Sequence, residues 1–462
     1  MKGAIFIFSA QSSSVRQSVA KSDPIVQLPD GFYLNRTPLL AFGLLCCLFS
    51  LWGCAMSLND VLIGQFRKAF MLSDFQSALV QFSFYISYFV LGIPAGMIIK
   101  RFSYKWSIQL GLFLYLIGCC LFFPAAHFAT YRIFFVALFV VAAGLVFIET
   151  AADTYCTLLG PPGRGTHRLN FASAFQPIGA ILGSSMGAYL IFKDGDLSRE
   201  QLSAMPAAQA WQHQLGMIHA TLEPYIYILG VLLVVMIAIG VTRYPACKGR
   251  DQQRSHELDT TGALKRLFAN KRFVLGILTQ FLYVGAQVGV WSFIIRLSMR
   301  LGHINERQAS VYLIASFCAF FIGKLVANFF MRHARPARVL FVYSLLCIVA
   351  LGYAVMVHDF TAVYAAILVS GLLGPCWPTI YGLTVDELGH DRAYGGSILV
   401  MSISGGGILP LLQGYISDAT GGNMQLAYIV PMGCFVVIAM FAAYCMKSGD
   451  ETAEHVVFDA TL

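Results

Sequence analysis

The chain has 462 residues, 58% of them hydrophobic and only 12% charged, where an ordinary soluble domain carries about a quarter charged residues. A soluble fold has too little interior to hide that much apolar surface, so the composition excludes one. The formal net charge of +8 requires no nucleic acid, because basic residues at the ends of membrane helices face anionic lipid headgroups.

Windows of roughly 20 predominantly apolar residues, long enough to cross about 30 Å of hydrocarbon as helix, recur along nearly the whole chain. Residues 1–36 precede them. Their opening "MKGAIFIFSAQSSS" has an apolar patch too short for a signal-peptide core, and the segment reads as a mobile, polar cytoplasmic tail. Helices are then predicted at 38–62, 77–99, 106–127, 133–158, 170–192 and 222–243, forming a first bundle over 37–244. The longest inner loop, "TRYPACKGRDQQRSHELDTTGALKRLFANKR", places a cytoplasmic linker at 245–270. Six more helices follow at 272–296, 308–331, 338–357, 361–384, 394–417 and 425–446, giving a second bundle over 271–447 and a cytoplasmic tail over 448–462. The expected class is an all-α membrane protein of twelve transmembrane helices in two six-helix, pseudo-symmetric bundles.

With a cytoplasmic N-terminus, the inner loops hold seventeen Lys and Arg, among them Lys100, Arg101, Arg243, Arg335 and Arg392, and the outer loops eight, among them Arg67, Arg132, Arg296 and Arg300. The positive-inside rule therefore puts both termini in the cytoplasm. Of twelve cysteines, all but Cys247 lie inside apolar windows. The adjacent pairs Cys46–Cys47 and Cys119–Cys120 read as small buried helix residues rather than bridges or ligands, and no zinc-like spacing is present.

The two halves echo each other. Each places a Gly near the end of its second helix with basic residues beyond, "GMIIKRFSYK" at 96–105 and "GKLVANFFMRHARPAR" at 323–338. Each has a small-residue fifth helix, "GAILGSSMG" at 179–187 and "GGGILPLLQG" at 405–414. In the first, Gly179, Gly183 and Gly187 recur every four residues, a groove for close helix contact. Duplicated bundles point to a transporter with its site between the repeats.

Few ionisable groups lie in the windows. Asp386, Glu387 and Asp418 sit near water and read as solvated. Lys324 either snorkels or pairs with a carboxylate that holds the halves together. Glu149 has no cation near it in the sequence, and a carboxyl that loses water beside a second carboxyl binds a proton more readily. That is the chemistry of a proton carrier, and intramembrane acids are functional by default. Asp153, four residues on and on the same helix face, modulates Glu149, meets substrate, or faces cytoplasmic water.

The stretches "FSLWGCAMSLNDVLIGQFRKAFMLSDFQSALVQFSFYISYF", "GIPAGMIIKRFSYK", "GLVFIETAADTYCTLLGP", "HRLNFASAFQPIGA", "FLYVGAQVGVWSFIIR" and "GGGILPLLQGYISDATG", in this order between about 38 and 446, resemble the L-fucose permease branch of the major facilitator superfamily, the fucose–galactose–proton symporters. The resemblance implies a sugar:proton symporter of the bacterial inner membrane that works by alternating access. It implies that the acids of "LND" and "ETA", Asp60 and Glu149, couple the proton. It departs from the family at Met56 and Ser57, where an Asn-rich run is usual, and at Ser173 and Gln176, which replace a Gln and an Asn. It departs again at Asp153 for Asn and at Trp377 for Tyr.

A sugar needs hydrogen-bonding partners at its edges and aromatic rings at its apolar faces. Asp60, Ser57, Ser173, Gln176 and Gln287 are candidates for the first. Trp52, Trp291, Tyr381 and, foremost, Trp377 are candidates for the second. The expected function is import of a hexose or deoxyhexose, L-fucose first and galactose or glucose as alternatives, with protons as the coupling ion and no other cofactor or metal. The carrier is expected to be a monomer in the lipid bilayer with no nucleic-acid partner. A drug:proton antiporter of the same fold is the rival. An embedded enzyme is disfavoured because no nucleophile–base pair stands out.

Overall fold

A computed structural model describes residues 25–29, 31–71, 74–191, 205–247, 260–304 and 306–459. Among the described residues the regular structure is helical, apart from one isolated bridge between Gln27 and Leu34. Eleven helical segments are long and apolar enough to cross a membrane, and α2 is a further helix of 28 residues. In chain order these are α1 (Leu39–Ala69), α2 (Asp74–Arg101), α3 (Tyr104–His127), α4 (Tyr131–Leu158), α5 (Gly165–Ser173 and Gln176–Met186, ending in a π turn at Gly187–Ile191) and α6 (Ala207–Ala220 and Leu222–Val241). The second half supplies α7 (Lys271–Gly302), α8 (Glu306–Phe330), α9 (Pro336–Met356), α10 (Thr361–Leu372 and Cys376–Val385), α11 (Arg392–Met401 and Gly405–Ala419) and α12 (Ile429–Asp459).

Proline decides where α5 and α10 break. Pro177 has no N–H, so the carbonyl four residues earlier, Ser173 O, loses its helical donor, and the helix is interrupted at Ala174 and Phe175. In α10 the interruption spans 373–375, where Gly374 and Pro375 stand before Pro378. Such breaks survive in a membrane only where other protein groups satisfy the freed backbone, and both lie at the centre of the molecule.

The duplication seen in the sequence is a packing device. A Cβ on Gly179 would overlap Ser50 O, so α5 lies directly on α1. In the second half a Cβ on Gly405 would overlap Phe281 O, and α11 lies on α7 in the same way. The matched glycines of the second and eighth helices do different work. Gly96 abuts Ser397 of α11 and so joins the halves, whereas Gly323 abuts Gly371 of α10 within its own half.

Four expectations about the ends and loops change. Residues 25–29 and 31–36 are not a free polar tail: Leu34 is buried, its N–H donates to Gly160 O at 3.3 Å, and Phe32 and Tyr33 lie against Arg392. The apolar Phe-Tyr-Leu run supplies the reason. The linker contains a helix at Thr260–Ala269, which buries Ala263 and Leu267 and anchors Arg266 to Asp391 by hydrogen bonds of 2.8 and 3.0 Å. Helix α6 starts at Ala207, well before the expected 222, and α12 runs to Asp459, past the expected tail boundary. Residues 1–24 of the tail, 248–259 of the linker and the last three residues lie outside the described residues.

Candidate functional site

A cavity of about 380 Å³ lies between the halves, within the range of small-molecule sites. From the first half it takes Trp52, Met56 and Ser57 of α1, Tyr85 of α2, Glu149 of α4 and Gln176 with Ala180 of α5. From the second it takes Gln287, Trp291 and Arg296 of α7, Phe317 and Phe320 of α8, and Trp377 of α10. The elements explain the choice. Packing α5 on α1 through glycine turns Gln176 and Ser57 toward the same space, and the α10 break presents Trp377 immediately beyond Pro375. Both walls carry polar groups, Ser57, Glu149 and Gln176 on the first-half side and Gln287, Ser292 and Arg296 on the second, and Val284, Val288, Leu313, Phe317 and Phe320 give the second-half side its apolar part.

Glu149 is 5% exposed. Its carboxyl lies beside the Tyr88 hydroxyl and the Trp52 indole, and Trp52 Nε1 donates to Tyr88 Oη at 2.9 Å. One carboxyl oxygen, Oε2, has no hydrogen-bond partner among the described residues. A buried ionised oxygen without a donor is costly, so this environment suits a carboxyl that carries a proton.

Asp153 is wholly buried rather than facing cytoplasmic water, because Trp377 covers it and donates from Nε1 to Oδ2 at 3.3 Å. Lys324 does not snorkel. It is buried, its Nζ donating to Ser173 O at 3.0 Å and to Gln176 Oε1 at 3.2 Å and lying 4.7 Å from the Phe320 ring centre. The lysine thus satisfies the carbonyl that Pro177 left open.

Below this layer the halves are sealed on the side of Arg168 and Arg392. Thr154 and Tyr381 share a hydrogen bond of 2.7 Å, Asn170 Nδ2 donates to Thr379 Oγ1 at 3.1 Å, and Thr166 Oγ1 donates to Asp386 Oδ2 at 3.3 Å. Gly396 of α11 fits against the Thr154–Tyr381 pair, where a Cβ would collide with both hydroxyls. The cavity is therefore closed toward the linker helix.

Of the residues singled out from sequence, Glu149, Ser57, Gln176, Gln287, Trp52, Trp291 and Trp377 line this cavity. Ser57 also hydrogen-bonds Ser184 of α5. Ser173 does not line it: its hydroxyl turns back to donate to Asn170 O at 3.0 Å. Tyr381 is buried in the seal rather than in the cavity wall. Asp60 lies on α1, one turn beyond Ser57, but its side chain lies outside the described residues. Arg296, counted with the outer loops, belongs to α7 and reaches the cavity. Tyr88 was not singled out, although the spacing of Tyr85 and Tyr88 in "FSFYISYF" already sets two aromatics on one helical face. Among the described residues no cluster of metal-ligating side chains is present.

Comparison with known proteins shows the family and the fold. The family model of the Major Facilitator Superfamily matches residues 40–409. The chain is similar to the L-fucose-proton symporter of Escherichia coli (strain K12), 36% identical over 412 residues that make up 89% of this chain and 94% of that protein. It is also similar to the glucose/galactose transporter of Brucella abortus biovar 1 (strain 9-941), 30% identical over 406 residues, 87% of this chain and 93% of the relative. Among solved structures it resembles the Major Facilitator Superfamily transporter FucP in the outward conformation, with a TM-score of 0.79 and 37% identity, covering 87% of this chain and 98% of that one.

Proposed function

The chain belongs to the Major Facilitator Superfamily, and from that premise we propose that it imports a hexose or deoxyhexose, L-fucose foremost, together with protons by alternating access. It is a transporter rather than an enzyme. The observation that carries this reading is Glu149: a buried carboxyl with an unpartnered oxygen, on the wall of a sugar-sized cavity between two six-helix halves. The name of the Escherichia coli relative supports L-fucose, and that of the Brucella relative supports glucose or galactose as the second reading.

In the proposed cycle the cavity faces outward while the seal of Thr154, Tyr381, Asn170 and Thr379 holds. A proton neutralises Glu149, and sugar enters with its hydroxyls on Gln176, Gln287, Ser57 and Asp60 and an apolar face on Trp377. The halves then rock, the seal opens, and loss of the proton resets the carrier. Coupling is reciprocal: if protonation tightens sugar binding, bound sugar holds the proton by the same free energy. The protein acts as a monomer in the bacterial inner membrane with both termini cytoplasmic, and needs no cofactor beyond the proton.

A panel of radiolabelled hexoses and deoxyhexoses in proteoliposomes with an imposed proton gradient tests the reading. Wild type accumulates L-fucose against its gradient. Glu149→Gln retains exchange and loses uphill uptake, and Asp60→Asn loses affinity. Accumulation by Glu149→Gln would exclude Glu149 as the coupling acid, and acidification outside the vesicles on substrate addition would favour an antiporter.

A further inference from the structure

Beneath Trp377 the halves exchange charged groups in opposite directions. Lys324, on α8 of the second half, reaches into the first and donates to Ser173 O at 3.0 Å and Gln176 Oε1 at 3.2 Å. Asp153, on α4 of the first half, reaches the second and accepts from Trp377 Nε1 at 3.3 Å. Lys324 is 2% exposed and Asp153 0%. The two lie within electrostatic reach of each other; among the described residues they make no direct ion-pair contact, and Asp153 Oδ1 has no hydrogen-bond partner. Both mediators, Gln176 and Trp377, line the cavity.

We propose that Asp153 and Lys324 form a charge-balanced clasp between the halves, and that sugar bound at Gln176 and Trp377 releases it to let the cytoplasmic side open. Two opposite buried charges are tolerated together, whereas either one alone is strongly unfavourable. A sugar hydroxyl that donates to Gln176 Oε1, or accepts from Trp377 Nε1, competes with one arm of the clasp. Lys324 Nζ, once freed from α5, and Asp153 are both hydrated as the halves part and water enters between them. The two charges balance each other in the closed state and are solvated in the open one, and the switch between them is set by occupancy of the cavity. Glu149, one turn above, keeps the proton-carrying role because Lys324 already balances Asp153.

This inference rests on the transport reading above, so one arm of its test needs no sugar. Lys324→Met, Asp153→Asn and the double variant are compared in proteoliposomes by L-fucose counterflow, with Lys324→Arg as a variant that keeps the charge. Each neutralising single change lowers counterflow about tenfold or more, and the double change recovers it to within about threefold of wild type. The second arm introduces Thr379→Cys in the seal and measures its labelling by a thiol reagent in sugar-free protein, resolved by mass spectrometry. Labelling rises severalfold when the clasp is removed by the double change and stays low with Lys324→Arg. A double variant no more active than the worse single, or equal labelling with and without the clasp, overturns the proposal. Absence of counterflow in wild type would instead sink the sugar reading and leave the labelling arm to decide the clasp.

Discussion

Ser173 and Gln176 stand three residues apart and would share one face of an unbroken helix, yet only Gln176 lines the cavity. The interruption at Ala174 and Phe175 separates them, and the Ser173 hydroxyl spends its proton on Asn170 O. Local sequence reasoning sees the residue types but not the rotation that a break introduces. Ser173→Ala is therefore expected to leave the KM for sugar within about twofold, whereas Gln287→Ala, which strips a polar group from the cavity wall, raises it roughly tenfold, the equivalent of about 1.4 kcal/mol. Radiotracer uptake at graded sugar concentrations distinguishes them. Glu149 was legible as a functional acid because its burial cost is written in its apolar neighbours. The burial of Asp153 was not, because its cover, Trp377, comes from 224 positions away.

At the scale of the helix, glycine and proline carry the most information. The Gly179, Gly183 and Gly187 stripe is readable as a contact face, and α5 uses it to lie on Ser50, Cys54 and Val61 of α1. What the stripe cannot name is its partner. Gly179→Ala forces a Cβ onto Ser50 O and is expected to cost about 3 kcal/mol, the upper end of what overpacking does. Gly43→Ala, on the same α1 but with nothing within 4 Å of the added Cβ, is expected to be neutral or slightly stabilising. Thermal unfolding in detergent, followed by size-exclusion chromatography, reads both. The breaks in α5 and α10 follow from Pro177, Pro375 and Pro378, but Lys324 as the donor that heals the first is a tertiary fact.

On the scale of the whole molecule, closure toward the linker helix depends on parts drawn from every region of the chain. Phe32 and Tyr33 lie 5.8 and 5.0 Å from the Arg392 guanidinium, and Leu34 bonds Gly160 of the other half. Removing residues 1–36 is expected to loosen the seal, shift the resting population inward and weaken sugar binding from outside severalfold, with helical content unchanged. Equilibrium binding to right-side-out and inside-out vesicles, with circular dichroism as control, checks this, and unchanged sidedness would mean that the docked segment bears no load.

Hydrophobic runs of bilayer length, loops rich in Lys and Arg and a repeated glycine pattern determine a twelve-helix, two-bundle membrane transporter from the sequence alone, since each is a local consequence of solvation by lipid. Tertiary structure alone decided which polar groups share the cavity, that Asp153 and Lys324 are both buried at its base, and that the N-terminal segment docks under the second half. Those facts depend on contacts between residues more than a hundred positions apart, and local periodicity carries no record of which faces will meet.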